Sequence, residues 1–372
     1  MDDLGTLPEM EAASAGIPVA NETEGAVPVK DASTIIDLHC HTAGIGAGGS
    51  GCFVSPSLRR NYRYRWFLRA FGVTEGEILR QGDGLVTERL SGRVGESRQV
   101  AAAVLLAMDG VVDGRGALDE GRTELYIPNR FLARECRRLP NLLFGASVNP
   151  LRPDALDRLD EAAADGALLL KWLPSIQGFD PADRRLVPFY RRLHELGLPL
   201  LTHTGNEESF TRTDNSLADP LRLRTALDEG VTVIAAHCAS NGRNGGQRNL
   251  ERLLPLLASY PNLYADISAL TQANRLGHLQ RVLRHTELHK RLLYGSDMPL
   301  IATGLTSPWF QLGRVPFAEA RRLAAIVNPW DRDVELKRAL GVTEEILGNG
   351  GRLLHLPPIP LPSKGSETAG MP

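Results

Sequence analysis

Thr34-Ile35-Ile36-Asp37-Leu38-His39-Cys40-His41 opens as an apolar, β-branched run and ends in two histidines one residue apart. Side chains alternate along a strand, so His39 and His41 share a face and Cys40 takes the other. Two adjacent imidazoles are costly to bury without partners. A divalent ion is one such partner, since neutral imidazole suits zinc and its neighbours. Hydrogen bonds to two ordinary polar histidines are the alternative. Whether further ligands fall in the same structural position decides between them.

Downstream, short apolar runs alternate with helical patterns. Strands are predicted at 34–38, 102–108, 142–148, 167–171, 199–203, 232–237, 263–267 and 292–296. Several are apolar throughout, as in parallel strands covered by helices. Asp180-Pro181 predicts a helix start, followed by Leu186, Phe189, Tyr190, Leu193 and Leu196 at helical spacing and closed by Gly197. Asp219-Pro220 repeats the device, Gly230 closes that helix, and Leu250, Leu253, Leu254 and Leu257 mark another. About eight strand–helix units point to an α/β fold, a (β/α)8 TIM barrel, rather than an open doubly wound sheet.

The first unit carries a long insertion, 52–100. It follows a glycine run from Gly44 to Gly51 and contains Arg59, Arg60, Tyr62, Arg63, Tyr64, Arg65, Trp66, Phe67, Arg69 and Phe71. In a barrel it leaves the first strand at the catalytic mouth. It reads as a substrate-binding lid, with Arg63 and Arg69 suited to an acidic substrate, or as a cover or subunit interface that would make a homo-oligomer. Gly46 to Gly51 matches G-x-G-x-x-G, but no helix opens there and the first later acid is Glu75, against a dinucleotide site. The glycines instead suit backbone amides approaching a substrate anion.

Chemistry gathers at the strand ends. His39 and His41 end the first strand, Lys171 the fourth, His203 the fifth and His237 the sixth, and Asp297 follows the eighth. The carboxyl ends of barrel strands converge at one mouth, so these six groups would face one another as a shared metal site. His194, His278, His285, His289 and His355 fall elsewhere. Asn149, Trp172, Glu207 and Arg243 follow strand ends and are candidates for substrate contact.

Composition bounds the rest. The chain has 372 residues and a net charge of −2, which argues against a nucleic-acid partner. The apolar run over 101–108 is too short to span a membrane. No Lys or Arg precedes Lys30, so no secretory or mitochondrial signal is expected. Four cysteines without C-x-x-C spacing suit the reducing cytoplasm. Residues 1–33 read as a flexible extension, 34–355 as the barrel, and 356–372 as a flexible Pro-rich tail.

Asp37-Leu38-His39-Cys40-His41, Leu170-Lys171-Trp172-Leu173-Pro174, Leu201-Thr202-His203-Thr204-Gly205, Ala235-Ala236-His237-Cys238 and Tyr294-Gly295-Ser296-Asp297-Met298-Pro299, in this order, resemble the amidohydrolase superfamily, in particular its amidohydrolase-related TIM-barrel hydrolases. The resemblance covers roughly 34–355. It implies that His39 and His41 bind one metal ion, and that His203 and His237 bind a second, or a metal plus substrate. It also implies that Lys171 is carboxylated and bridges two ions, and that Asp297 is both a ligand and the proton acceptor. The cofactor expected is one or two divalent ions, Zn2+ above all, activating water for attack on an amide, lactone or ester of a small molecule. The same family includes non-oxidative decarboxylases. In that alternative His39, His41, His203 and Asp297 hold one ion, and His237 handles protons while an aromatic or enoic acid loses carbon dioxide.

Overall fold

The computed structural model describes residues 34–357 and 359; the expected extension 1–33 and most of the expected tail lie outside the described residues. Eight parallel strands run in sequence order: β1 (Ile35–His41), β2 (Val100–Leu106), β3 (Leu142–Ala146), β4 (Leu169–Trp172), β5 (Leu200–Thr202), β6 (Val233–Ala235), β7 (Leu263–Asp266) and β8 (Leu292–Leu293). β8 is only two residues long, yet the barrel closes beyond it. Leu38 N donates to Tyr294 O at 3.3 Å, Asp297 N to His39 O at 2.8 Å, and His41 N to Met298 O at 3.0 Å. The fold is therefore the (β/α)8 barrel.

Alternation divides each strand between two cores. Ile36, Leu38, Val104, Leu169, Leu201 and Ile234 fill the barrel. Ile35, Val100, Leu105, Leu170, Leu200 and Val233 face the outer helices. Each strand is thus apolar on both faces, which is why the runs did not alternate in sequence. Leu354 joins the inner cluster and Leu356 and Ile359 pack against it, so the first residues of the expected flexible tail take part in packing.

β1 departs from simple alternation. Its register against β2 slips between Asp37 and Cys40, where three steps on β1 match two on β2 (Asp37 beside Ala103, Cys40 beside Leu105). This bulge resets the phase, so that His39 and His41 turn into the barrel along with Leu38. Asp37, left outward and fully buried, pins it. Its carboxylate accepts from His39 N at 3.0 Å, Ser296 N at 2.8 Å, Ser296 Oγ at 2.5 Å and Trp330 Nε1 at 2.8 Å.

The insertion folds as four helices, α1 (Pro56–Arg60), α2 (Tyr62–Phe71), α3 (Glu75–Gln81) and α4 (Gly84–Gly95), the first three N-capped by side chains. Asn61 caps α2 by accepting from Arg63 N at 3.0 Å, and Thr74 with Glu77 forms a capping box on α3. Two amides of the glycine run before them are held by one carboxylate: Ile45 N and Gly46 N each donate at 2.9 Å to Asp83, which also accepts from Ser50 Oγ. Gly46 makes this possible at φ 91°, open to glycine at little cost.

The helix expected from Pro181 begins later, as a 3-10 turn Arg184–Leu186 leading into Val187–Glu195. Asp183 caps that turn and Pro188 lies in the helix's first turn, while Asp180 closes a local turn on Ala182 N at 2.8 Å. No helix among the described residues is long and apolar enough to cross a membrane.

Candidate metal centre

The bulge brings His39 Nε2 to 3.2 Å from His41 Nε2. Asp297 Oδ1 lies 3.3 Å from His41 Nε2 and 3.6 Å from His39 Nε2. Lys171, wholly buried on β4, places Nζ 2.9 Å from His39 Nε2. The His237 ring stacks on His39 with centroids 5.0 Å apart, and His203 meets His237 edge-on at 5.1 Å. All six groups expected at the mouth thus lie together. The backbone is left-handed at His237 (φ 57°) and at Asp297 (φ 59°), a conformation costing about 1–3 kcal/mol at a non-glycine residue and typical of functional sites.

A carboxylate that the sequence reading passed over holds this cluster. Asp266, the last residue of β7, has Oδ2 2.9 Å from His39 Nδ1. Its Oδ1 accepts from His237 N at 2.8 Å and Ser268 N at 3.0 Å. Ser268 Oγ lies 2.8 Å from His237 Nδ1. His39 therefore keeps its Nε2 toward His41, Lys171 and Asp297, and His237 lines the cleft with its outer ring nitrogen free of this network. The available signal was an acid ending a barrel strand in Leu263-Tyr264-Ala265-Asp266; an apolar run continued through Ile267 masked it.

Charge states favour ligation. Burial lowers His39 to about 4, with Lys171 adding to the shift and Asp266 opposing it. Burial likewise lowers His203 and His237, against Glu207 and Asp297 respectively. Burial alone would raise both aspartates, but the neighbouring histidines and hydrogen bonds hold Asp266 and Asp297 well below the usual carboxylate range. Burial brings Lys171 down to about 8, against Asp266, Asp297 and Glu207. Neutral imidazoles and ionised carboxylates are the forms that bind a metal. His203 Nε2 is buried with no hydrogen-bond partner among the described residues. The ligand atoms of His39, His41 and Asp297 lie within 4.8 Å of one another, so this donor set fits a divalent metal, with His203 beside it.

The cluster floors a cleft of about 480 Å³, lined by His41, His203, His237 and Asp297 and roofed by Tyr64, Trp66, Phe67 and Phe71 of α2. Glu207, whose Oε2 is 3.5 Å from His203 Nδ1, and Arg63, which donates to Glu208 O, also line it. Gln272 and Arg275, on the loop after β7, join them, and nothing in the sequence had marked either.

The other candidate contacts lie elsewhere. Asn149 spends its amide on Gly110 O at 2.9 Å and Gln177 O at 3.0 Å. Trp172 follows Lys171 on β4 and so points outward, packing against Phe179, Phe189 and Tyr190 with Nε1 donating to Val148 O at 2.7 Å. Arg243 is exposed in a hairpin, donating to Gly246 O at 2.9 Å. Arg69, six residues after Arg63 and so about 120° around α2, lines a separate groove with Arg93 and Glu335. Away from the cleft, His194 bonds Gly230 O and His285 pairs with Glu287.

The fold is similar to an uncharacterised TIM-barrel protein from Bordetella bronchiseptica (16% identity, 87% of this chain and 98% of that one, TM-score 0.53). Weaker likeness extends to a putative 2-pyrone-4,6-dicarboxylic acid hydrolase from Pseudomonas putida (16% identity, 87% and 98% covered, TM-score 0.47). A 2,6-dihydroxybenzoate decarboxylase from Rhizobium is comparable (13% identity, 87% and 99% covered, TM-score 0.45). No curated protein matches the chain. The family model described as Amidohydrolase matches residues 36–340, from the first barrel strand to beyond the last. With that match across a closed barrel whose strand ends carry the histidines and the aspartate, the chain belongs to the amidohydrolase family of metal-dependent enzymes.

Proposed function

We propose that the protein hydrolyses a carbonyl-type bond (amide, lactone or ester) in a small molecule, with a divalent ion, Zn2+ first among candidates, held by His39, His41, His203 and Asp297. The observation that carries the reading is the ionised Asp297 carboxylate, 3.3 Å from His41 Nε2 on the floor of an apolar-roofed cleft. When bound, the ion would polarise the carbonyl and acidify a water. Asp297 accepts the proton of the attacking water and returns it to the leaving group. Asp266 keeps the His39 Nε2 lone pair available. The aromatic residues of α2 exclude bulk water from the reacting end.

Lys171 belongs to the same proposal. An ammonium 2.9 Å from His39 Nε2 competes for the lone pair that a metal needs. Burial favours the neutral amine, which combines with carbon dioxide to give a carbamate and a proton. That anion would bridge two ions, with His237 as a ligand to the second. Two ions per chain, falling to one or none in Lys171→Ala, is the expected stoichiometry; one ion in both proteins rejects the bridge.

A second reading, a single-ion decarboxylase, has its own support. Two ligand clusters can be drawn, His39–His41–Asp297 and His39–His237–Asp266. In the second, Asp266 is already committed to His39 Nδ1, which leaves room for one ion and frees His237 to move protons. One preparation of known metal content, assayed for hydrolysis of lactones, esters and amides and for carbon dioxide release from carboxylic acids, separates the readings. Asp297→Asn is expected to lower hydrolysis by about two to four orders of magnitude at unchanged fold. A hydrolysis rate within a few-fold of the parent would remove Asp297 as the base.

A further inference from the structure

The cleft holds hydrogen-bonding capacity that the described residues do not use. Buried side-chain atoms without a partner among the described residues include Thr42 Oγ1, His203 Nε2, Gln272 Nε2 and Arg275 Nε, all from residues lining the cleft. The proposed ion would account for His203. Nothing in the metal chemistry accounts for Gln272 and Arg275.

Arg275 is 8% exposed and Gln272 4%. The Arg275 guanidinium makes one long hydrogen bond, from Nη1 to Ser240 Oγ at 3.3 Å. No carboxylate among the described residues forms an ion pair with it, although Asp297, Glu207 and Glu208 lie near enough to offset part of its burial. Arg275 N donates to Gln272 O at 2.9 Å, so one tight turn presents both side chains to the cleft. A buried guanidinium with an unspent donor, beside an unspent carboxamide N–H, offers the planar donor geometry that suits a carboxylate. Trp66, Phe67 and Phe71 of α2 give the same cleft an apolar lining.

We propose that Gln272 and Arg275 form an anchor for a substrate carboxylate remote from the reacting group, so that the enzyme acts on organic acids with an apolar, aromatic-sized body. The assignment of a reacting end to the His41–Asp297 floor rests on the proposed function; the anchor does not. Its chemistry is charge-specific and independent of the metal.

The test uses benzoate and its neutral isostere benzamide as probes, titrated calorimetrically into the metal-loaded full chain and into the same protein after chelation. In both forms benzoate is expected to bind more tightly than benzamide. Arg275→Gln should weaken benzoate by about 10- to 100-fold and leave benzamide unchanged, Arg275→Lys should recover part of the loss, and Gln272→Leu should weaken benzoate by about 3- to 10-fold. Should Arg275→Gln fail to fold, the Gln272→Leu arm decides alone. The anchor is overturned if the benzoate-to-benzamide ratio is the same in the variants as in the parent, or if the preference vanishes on chelation, which would place the carboxylate on the metal. A protein that takes up no metal at all would sink the proposed hydrolase while leaving the ratio a valid reading of the anchor.

Discussion

His39 is the residue on which the centre turns, and its role depends on which nitrogen carries the proton. With Asp266 Oδ2 2.9 Å from Nδ1, the proton belongs there and the lone pair at Nε2. Orienting carboxylates of this kind typically contribute about 10- to 100-fold in metal affinity. Asp266→Asn is therefore expected to weaken Zn2+ by that factor in competition with a chromophoric chelator, and an unchanged affinity would make Asp266 merely structural. Trp172 is the converse case. It sits beside Lys171 in sequence, yet alternation sends it into the outer core, where it is wholly buried. Trp172→Ala should cost about 3–5 kcal/mol in denaturant unfolding while metal affinity stays unchanged. The ligands were legible because all stand at or just after strand ends. Asp266 stands there too, but within a longer apolar run, and Gln272 and Arg275 carry no local pattern at all.

At the scale of elements, the bulge in β1 and the insertion after it do what periodicity alone could not foretell. Simple alternation would have set His39 on the face of Asp37, outward; the extra residue returns it to the barrel. A sequence pattern fixes which residues share a face, but a register slip is decided by partners distant in sequence, here Ser296 and Trp330 on the Asp37 carboxylate. The insertion was legible as basic, aromatic and helical, but not in which arginine meets the cleft. Arg63 reaches over the mouth to Glu208 O, whereas Arg69 faces the separate groove. Arg63→Gln is expected to raise KM for the true substrate by about 3- to 10-fold with kcat nearly kept, and Arg69→Gln to leave both near the parent values. Equal effects from the two substitutions would mean that α2 acts through its overall charge or its packing, not through a contact at the rim.

For the whole molecule, closure of the barrel and assembly of the site are the same event. The hydrogen bonds from Asp297 N to His39 O and from His41 N to Met298 O are both the seam between first and last strands and the backbone of three ligands. Eight apolar runs announced the barrel, yet the seam was invisible in sequence because it lies in the irregular stretch after β8, beyond any strand pattern. An ion held by side chains from β1, β5 and the β8 seam would tie that closure together, since it binds the folded ligand set and not the unfolded chain. Free Zn2+ at a hundredfold excess over its dissociation constant would then add about 2.7 kcal/mol of stability. For a barrel of this size that corresponds to a rise in Tm of about 5 °C over the chelated protein. His41→Ala should lose most of the metal-dependent rise, because an ion short of one ligand is held less tightly. His285→Ala, in a surface histidine paired with Glu287, should keep all of it. A rise that survives His41→Ala undiminished would locate the stabilising ion away from the seam and break the link between closing the barrel and building its site.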